Sequence, residues 1–84
     1  MPSKNNGHAQ CPLSAKDRRL IRRRLKERSI SQKSLADRVG VSQPTVANYL
    51  TGKKNPSIVA MTKIANVLGL GFSISQSVKI WAEE

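Results

Sequence analysis

The chain has 84 residues, which is enough for one domain but too short for two separate hydrophobic cores. Its 15 Lys and Arg residues outnumber five Asp and Glu residues, and the net charge of +10 favours a polyanionic partner, with nucleic acid foremost. The apolar stretches are too short to span a bilayer, and the polar first dozen residues predict no signal peptide, so no membrane partner is expected.

The first twelve residues contain two prolines, a glycine and two adjacent asparagines, and they show no apolar periodicity. We interpret residues 1–12 as a disordered N-terminal arm. Cys11 is the only cysteine, so no intrachain disulfide is possible and a reducing, cytoplasmic location is expected. Neither Cys11 nor the lone His8 has partners at metal-ligand spacing, so we expect no metal and no other cofactor.

A first helix is predicted over residues 15–28, a run without glycine or proline that follows a capping serine, Ser14. Ile21, Leu25 and Arg28 share the inward face of this helix on a helical wheel. Arg19, Arg22, Arg23 and Lys26 lie around the far side, and the eight basic residues between positions 16 and 28 repel one another. This basic side could contact DNA or simply face solvent, and the sequence leaves both alternatives open.

Two short helices follow, and each is preceded by a serine that can cap it. The second helix, residues 32–39, ends at Gly40, because glycine adopts a positive φ without steric penalty. The third helix runs from about Gln43 to Tyr49, with Pro44 in its first turn. Two short helices joined by a glycine-containing turn form a helix-turn-helix, in which the second helix enters the major groove of DNA. The apolar contacts between the helices are expected from Leu35, Ala36, Val39, Val41, Val46 and Tyr49.

A fourth helix is predicted from a cap at Ser57 to Leu68, with Gly69 as its stop. Beyond Gly69 the apolar period changes from about four to two, which indicates a single strand. No second strand is evident, so the strand is expected to pair with its own copy in a homodimer, or else to remain a disordered tail. The predicted dimerisation residues are Leu70, Phe72, Ile74, Val78 and Ile80.

The segment from Ser31 to Leu70 reads SQKSLADRVGVSQPTVANYLTGKKNPSIVAMTKIANVLGL. It resembles the lambda repressor and Cro-type helix-turn-helix family, also called the xenobiotic-response-element-like family, and the likeness covers about Leu20 to Leu70. The resemblance implies a mainly α fold, a four-to-five-helix lambda-repressor-like DNA-binding domain over residues 13–69. A C-terminal β-strand and tail, residues 70–84, would then provide dimerisation.

The chain departs from the family pattern at one pair of positions. Many members have an Arg in the first helix that pairs with a Glu just after the third, and the matching residues here are Leu25 and Leu50. An apolar pair can replace an ion pair without loss of stability when its packing is good. We therefore expect neither the fold nor DNA binding to be affected.

The outward face of the third helix is short, polar and almost uncharged. Gln and Asn can bond adenine through two hydrogen bonds, while Thr and Pro can contact a thymine methyl group. The alternative is an ordinary solvated helix face. The resemblance assigns base reading to Gln43, Pro44, Thr45 and Asn48.

Contacts to the DNA backbone are expected at the start of the second helix and in the basic loop after the third. In similar proteins the residue at Gln32 and the helix N-terminus contact a phosphate, and the loop after the reading helix grips the backbone. The predicted phosphate-binding residues are Gln32, Lys33, Ser42, Lys53, Lys54 and Asn55.

Several functional classes fit these features unequally. A homodimeric transcriptional regulator, acting as a repressor on a near-palindromic operator of double-stranded DNA, is favoured. The alternative is the antitoxin of a toxin–antitoxin pair, since similar antitoxins of the Hip type also follow four helices with a strand; it would bind a toxin protein as well as its operator. A nonspecific architectural protein would bind any duplex similarly. An enzyme is not expected, because no catalytic pairing or phosphate-cradling loop is evident.

Overall fold

The computed structural model describes residues 10–74 and 78–82, which form four helices followed along the chain by a two-stranded antiparallel sheet. The mainly α fold class is therefore confirmed for the part of the chain that is described. Within those residues no helix has both the length and the apolar character needed to cross a membrane. The elements are α1 (Ala15–Glu27), α2 (Gln32–Val39), α3 (Gln43–Thr51), α4 (Ile58–Leu68), β1 (Leu70–Ile74) and β2 (Val78–Ala82).

Serine residues start all four of these helices. In each case the serine hydroxyl accepts a hydrogen bond from the backbone N–H three residues later, which satisfies one of the otherwise unpaired amides of the first turn. At α1 the Asp17 carboxylate also accepts from the Ser14 N–H, so a reciprocal capping box forms. The caps predicted from the sequence are thus confirmed at Ser14, Ser31, Ser42 and Ser57.

The core is aliphatic and lies where the four helices meet β1. Leu25 and Leu50, the apolar replacements for an ion pair, are both buried in it. Arg28, which was expected on the inward face of α1, is instead exposed, because it follows the last residue of the helix and turns towards the end of α4. Arg24 is buried in its place, with Nη1 3.7 Å from Glu27 Oε1. The largest fully buried side chains are Ile21, Leu35, Met61, Ile64, Leu68, Val46, Pro56 and Cys11.

The expectation that Cys11 lies in a disordered arm is wrong. Its side chain has no exposed surface, its backbone N–H donates to the Pro56 carbonyl oxygen at 2.8 Å, and Gln10 forms a β-bridge with Ser57. Burial raises the pKa of the thiol, so it remains protonated at neutral pH. Residues 10–12 therefore cover the start of α4, and the rest of the predicted arm, residues 1–9, lies outside the described residues.

The expectation of one C-terminal strand without a partner in the chain is also wrong. β1 and β2 pair antiparallel with each other, in a register that sets Gly71 opposite Trp81 and Phe72 opposite Ile80. The three polar residues at positions 75–77 interrupt the apolar alternation, although one long strand was predicted across them. Because the strand finds its partner within the chain, pairing with a second copy is not needed to satisfy this edge of β1.

Three apolar side chains of β1 and β2 pack in or against the chain's own core. Leu70 is buried, and Phe72 and Ile80 are partly buried against the core cluster. The side chains of Ile74 and Val78, also predicted at a dimer interface, lie outside the described part of the structure. The three described side chains therefore already have apolar partners in the monomer.

Candidate nucleic-acid interface

The turn between α2 and α3 is tight and is held by the last turn of α2. The N–H groups of Gly40 and Val41 both donate to the Ala36 carbonyl oxygen, at 2.8 and 3.0 Å. Gly40 has φ +89°, a left-handed conformation that other residues rarely adopt. Ala36 is buried in the core, and its small side chain permits α2 and α3, which contact each other, to pack closely. These contacts fix the direction of α3 relative to α2.

One side of α3 is buried and the opposite side is open to solvent. Val46, Tyr49 and Leu50 are buried in the core. Burial also raises the pKa of the Tyr49 phenol, so α3 carries no charge from this residue at neutral pH. The outward face therefore consists of uncharged polar and small apolar groups.

The four predicted base-reading residues all lie outside the core of α3, but they are not equally free. Gln43 and Pro44 are exposed, and Asn48 is half-buried one turn further along the same helix. The Thr45 hydroxyl lies 2.8 Å from Ser42 Oγ, and Ser42 Oγ also accepts from the Thr45 N–H. Thr45 is therefore already engaged in the helix cap, while the side-chain amides of Gln43 and Asn48 make no hydrogen bond to any described residue.

The start of α2 presents two predicted phosphate-binding residues to solvent. Gln32 and Lys33 are both exposed, and their backbone N–H groups belong to the first turn, which has no partners within a helix. The positive end of the helix dipole adds to the charge of Lys33 at this point. Lys33 Nζ lies 3.7 Å from Asp37 Oδ2, an exposed pair that contributes little to stability and can open to a phosphate.

The loop after α3 contains two exposed lysines and one residue with a structural role. Lys53 and Lys54 are exposed directly beyond the end of α3, and the Lys54 N–H donates to the Asn48 carbonyl oxygen. Asn55 is half-buried, and its Oδ1 accepts from the Leu13 N–H at 3.3 Å. The side-chain carbonyl of Asn55 thus holds the N-terminal segment. The side-chain NH₂ group of Asn55 is the donor that a phosphate could accept from.

Two arginines of α1 reach the C-terminal end of α3, a role that the sequence analysis missed. Arg22 donates through Nη2 to the Leu50 carbonyl oxygen. The Arg18 guanidinium lies over Gly52, where an added Cβ atom would be 3.0 Å from Cζ, and its Nη1 donates to the Leu13 carbonyl oxygen at 2.7 Å. The available signal was the absence of any basic residue in the last turn of α3, which leaves its negative dipole end uncompensated by its own residues.

The structure therefore divides the basic side of α1, whose role was left open, into two groups. Arg18, which is half-buried, and Arg22, which remains exposed, donate hydrogen bonds to backbone carbonyl oxygens. Lys16, Arg19, Arg23 and Lys26 are also exposed and make no such bond within the described ranges. Among the described residues, no group of three or more His, Cys, Asp or Glu side chains could hold a metal ion. The chemistry of this surface is accordingly that of amides, hydroxyls and cations.

Comparison with known proteins identifies a family and a relative. The sequence profile of a helix-turn-helix family matches residues 21–74, which span the second half of α1, the whole of α2 to α4 and β1. A protein of Methanothermobacter thermautotrophicus, described as an uncharacterized HTH-type transcriptional regulator, is 40% identical over 52 residues. That alignment covers 62% of this chain and 75% of the archaeal protein.

Proposed function

The chain belongs to the Cro/C1-type helix-turn-helix family, and from that premise we propose that it is a sequence-specific regulator of transcription that binds double-stranded DNA. The observation that carries the proposal is the uncharged, solvent-facing side of α3 between the exposed lysines of α2 and of the following loop. Uncharged amides suit base edges, and cations suit phosphates. The two chemistries occur side by side, as a duplex requires.

In the proposed complex α3 lies in the major groove. Gln43 and Asn48 read base edges through their amide groups, and Pro44 contacts a thymine methyl group. Thr45 contributes its methyl group, because its hydroxyl stays bonded to Ser42. This assignment keeps the four residues of the original prediction but gives the two amides the larger share of specificity.

The phosphates on either side are held by Lys33, Lys53 and Lys54 together with the first-turn amides of α2. Gln32 adds a neutral hydrogen bond at the same helix start. Ser42 and Asn55 act mainly by positioning the reading helix and the loop, since each already bonds within the chain. A phosphate would accept from the NH₂ group of Asn55, and from the Ser42 hydroxyl only when Thr45 is the donor in the bond between the two hydroxyls.

The finer part of the proposal is a homodimeric repressor on a near-palindromic operator. Two reading helices separated by one helical turn, about 34 Å, would double the number of bases read. The outer edge of β1 is our candidate contact, because within residues 10–74 and 78–82 only β2 lies beside that strand. Repression would follow from occupying DNA that a polymerase needs. The cytoplasmic location expected from the lone cysteine stays a prediction.

The antitoxin alternative loses one of its supports. It rested on a single C-terminal strand that pairs across a dimer, whereas the two strands pair within this chain. We therefore retain the repressor as the proposal.

Selection of bound duplexes from a random DNA pool tests the function directly. We expect one preferred half-site, repeated with two-fold symmetry, and binding roughly 10³-fold tighter than to unselected duplex. A pool that shows no preferred sequence would leave a nonspecific architectural protein instead. A single half-site without a repeat would contradict only the homodimer.

A further inference from the structure

An open groove of about 680 Å³ lies between α1 and β2. Its α1 wall carries four exposed cations, Lys16, Arg19, Arg22 and Arg23, of which Arg22 already donates to the Leu50 carbonyl oxygen. The other three are spaced three and four residues apart and so lie along one face of the helix. Leu20, on the same wall, is only partly buried. None of the residues assigned to DNA lines this groove.

The opposite wall is the outer edge of β2. Three consecutive residues, Ile80, Trp81 and Ala82, line the groove, although neighbouring side chains of a strand point to opposite faces of its sheet. A groove that touches all three must therefore run along the backbone edge of the strand. Within the described residues β1 is the only strand beside β2, so this edge is open to a further strand.

Trp81 gives the groove a fixed aromatic surface. Its indole ring packs over Gly71 on β1, so closely that an added Cβ atom there would clash with Cε2. Even so, 45% of the residue is exposed, which makes Trp81 one of the two most exposed large apolar residues of the described chain. A ring held on one side and open on the other is a suitable contact for an apolar side chain.

The charge of the groove selects the kind of segment that could occupy it. Four cations line the groove with one carboxylate, that of Asp17, which already caps α1. Arg23 is 3.9 Å from Glu27, but both side chains are more than half exposed and the pair is weak. A second copy of this chain, with 15 Lys and Arg against five Asp and Glu, offers few carboxylates to this basic wall, so an acidic segment of another protein complements it better.

We propose that this groove binds an extended, acidic segment of another protein, which adds to β2 as a third strand. Its backbone pairs with the edge of β2, an apolar side chain packs on Trp81, and its carboxylates face Lys16, Arg19 and Arg23. Because the DNA-facing side chains lie elsewhere, the segment binds while α3 occupies the operator. The surface thus serves to attach a partner protein to DNA-bound regulator.

The test begins with random 12-residue peptides displayed on phage and selected against the full-length protein. We expect the enriched peptides to be acidic and to carry at least one large apolar residue. Synthetic peptides without tryptophan are then titrated, and the emission of Trp81, the only tryptophan of the chain, should shift to shorter wavelength as its ring is covered. No enrichment, or enrichment without an excess of carboxylates, would overturn the proposal.

Two matched variants assign the charge contacts. Replacing both Arg19 and Arg23 by Gln should weaken peptide binding about tenfold, as expected for two lost exposed ion pairs. Lys63→Gln on α4 removes a charge that is exposed but far from the groove in sequence and absent from its lining, and it should change nothing. Equal effects of the two changes would mean that the peptide senses only net charge.

Strand addition has its own readout. N-methylation of alternate amides along one edge of the best peptide should abolish binding, whereas methylation along the other edge should not. Equal tolerance of both would exclude a third strand.

Two further measurements test whether DNA or a second copy of the chain occupies the groove instead. If a saturating 20-base-pair duplex displaces the peptide, the groove is a DNA surface. If Trp81→Ala converts a dimer to a monomer in sedimentation, the groove holds a second copy. Either result would contradict the proposal, while leaving sequence-specific DNA binding in place.

Discussion

The predicted DNA-binding side chains in and around α3 differ in how many of their hydrogen-bonding groups remain free for a ligand. Thr45 and Ser42 bond each other, and Asn55 in the next loop bonds the Leu13 amide. Gln43 is exposed at the start of the helix. Residue type and helical position predicted the set, but they could not reveal which hydroxyls and amides the chain already uses, because those bonds depend on neighbours in space.

Replacing Gln43 by Ala should weaken binding to the selected operator by about 1–3 kcal/mol and leave binding to unselected duplex nearly unchanged. The reason is that the amide discriminates bases only when the correct base faces it. Fluorescence anisotropy with both duplexes measures the difference. Asn66→Ala, which removes an exposed amide on α4, is the control. Equal losses on both duplexes would remove Gln43 from base reading.

Gly71 and Trp81 should form a coupled pair in the folding energetics. Gly71→Ala forces a methyl group into the indole ring, so we expect a loss of about 1–3 kcal/mol in the free energy of unfolding. In the Trp81→Ala background the same change should cost much less, and urea unfolding of the four proteins completes a double-mutant cycle. Gly40→Ala is the control, since nothing lies within 4 Å of its added methyl group and only the positive φ is strained. Its cost should be the same with and without Trp81. Additive effects would mean that the ring moves aside.

Whole elements were predictable where their signals are local. All four helices begin at serines followed by apolar residues at helical spacing, and both signals can be found within about a dozen residues. The β hairpin was not recognised, because the partner of β1 is decided by pairing across the polar residues 75–77. Cys11 was misplaced for the same reason: its burial depends on Pro56, 45 positions further along the chain.

The contact between α1 and the end of α3 suggests that one element stabilises the other. Arg22→Met keeps the aliphatic stem but removes the hydrogen bond to the Leu50 carbonyl and the charge at the helix end. We expect a loss of about 1–2 kcal/mol in the free energy of unfolding, measured by urea denaturation. Arg23→Met, a change at an exposed neighbour, should stay within about 0.5 kcal/mol. A similar loss in both variants would mean that the helix needs any cation rather than this contact.

The net charge of the whole molecule overstates what a duplex would neutralise, because cations are distributed over different surfaces. Arg18 and Arg22 bond backbone carbonyls, and Lys16, Arg19 and Arg23 line the groove beside β2 together with Arg22. Lys33, Lys53 and Lys54 are the cations that we assign to the DNA backbone. Composition alone predicted an anionic partner, but only the arrangement separates these three roles.

Replacing Lys53 and Lys54 together by Ala should weaken binding to all duplexes and reduce the slope of log affinity against log salt by about 0.9 for each lost phosphate contact. Titrations between low and moderate salt measure this slope. Lys63→Ala, on α4, should leave it unchanged. An unaltered slope in the double variant would mean that both lysines stay in solvent.

The burial of Cys11 affects how the protein behaves in air. Thiolate is the reactive form of cysteine, and here the sulfur is both shielded and held protonated. Oxidative cross-linking of two copies then requires residues 10–12 to separate from the start of α4 first. Disulfide-linked dimers in an aged preparation would thus come from molecules in which residues 10–12 had separated from α4. A reductant in the buffer would remove the disulfide but would not prevent this local opening.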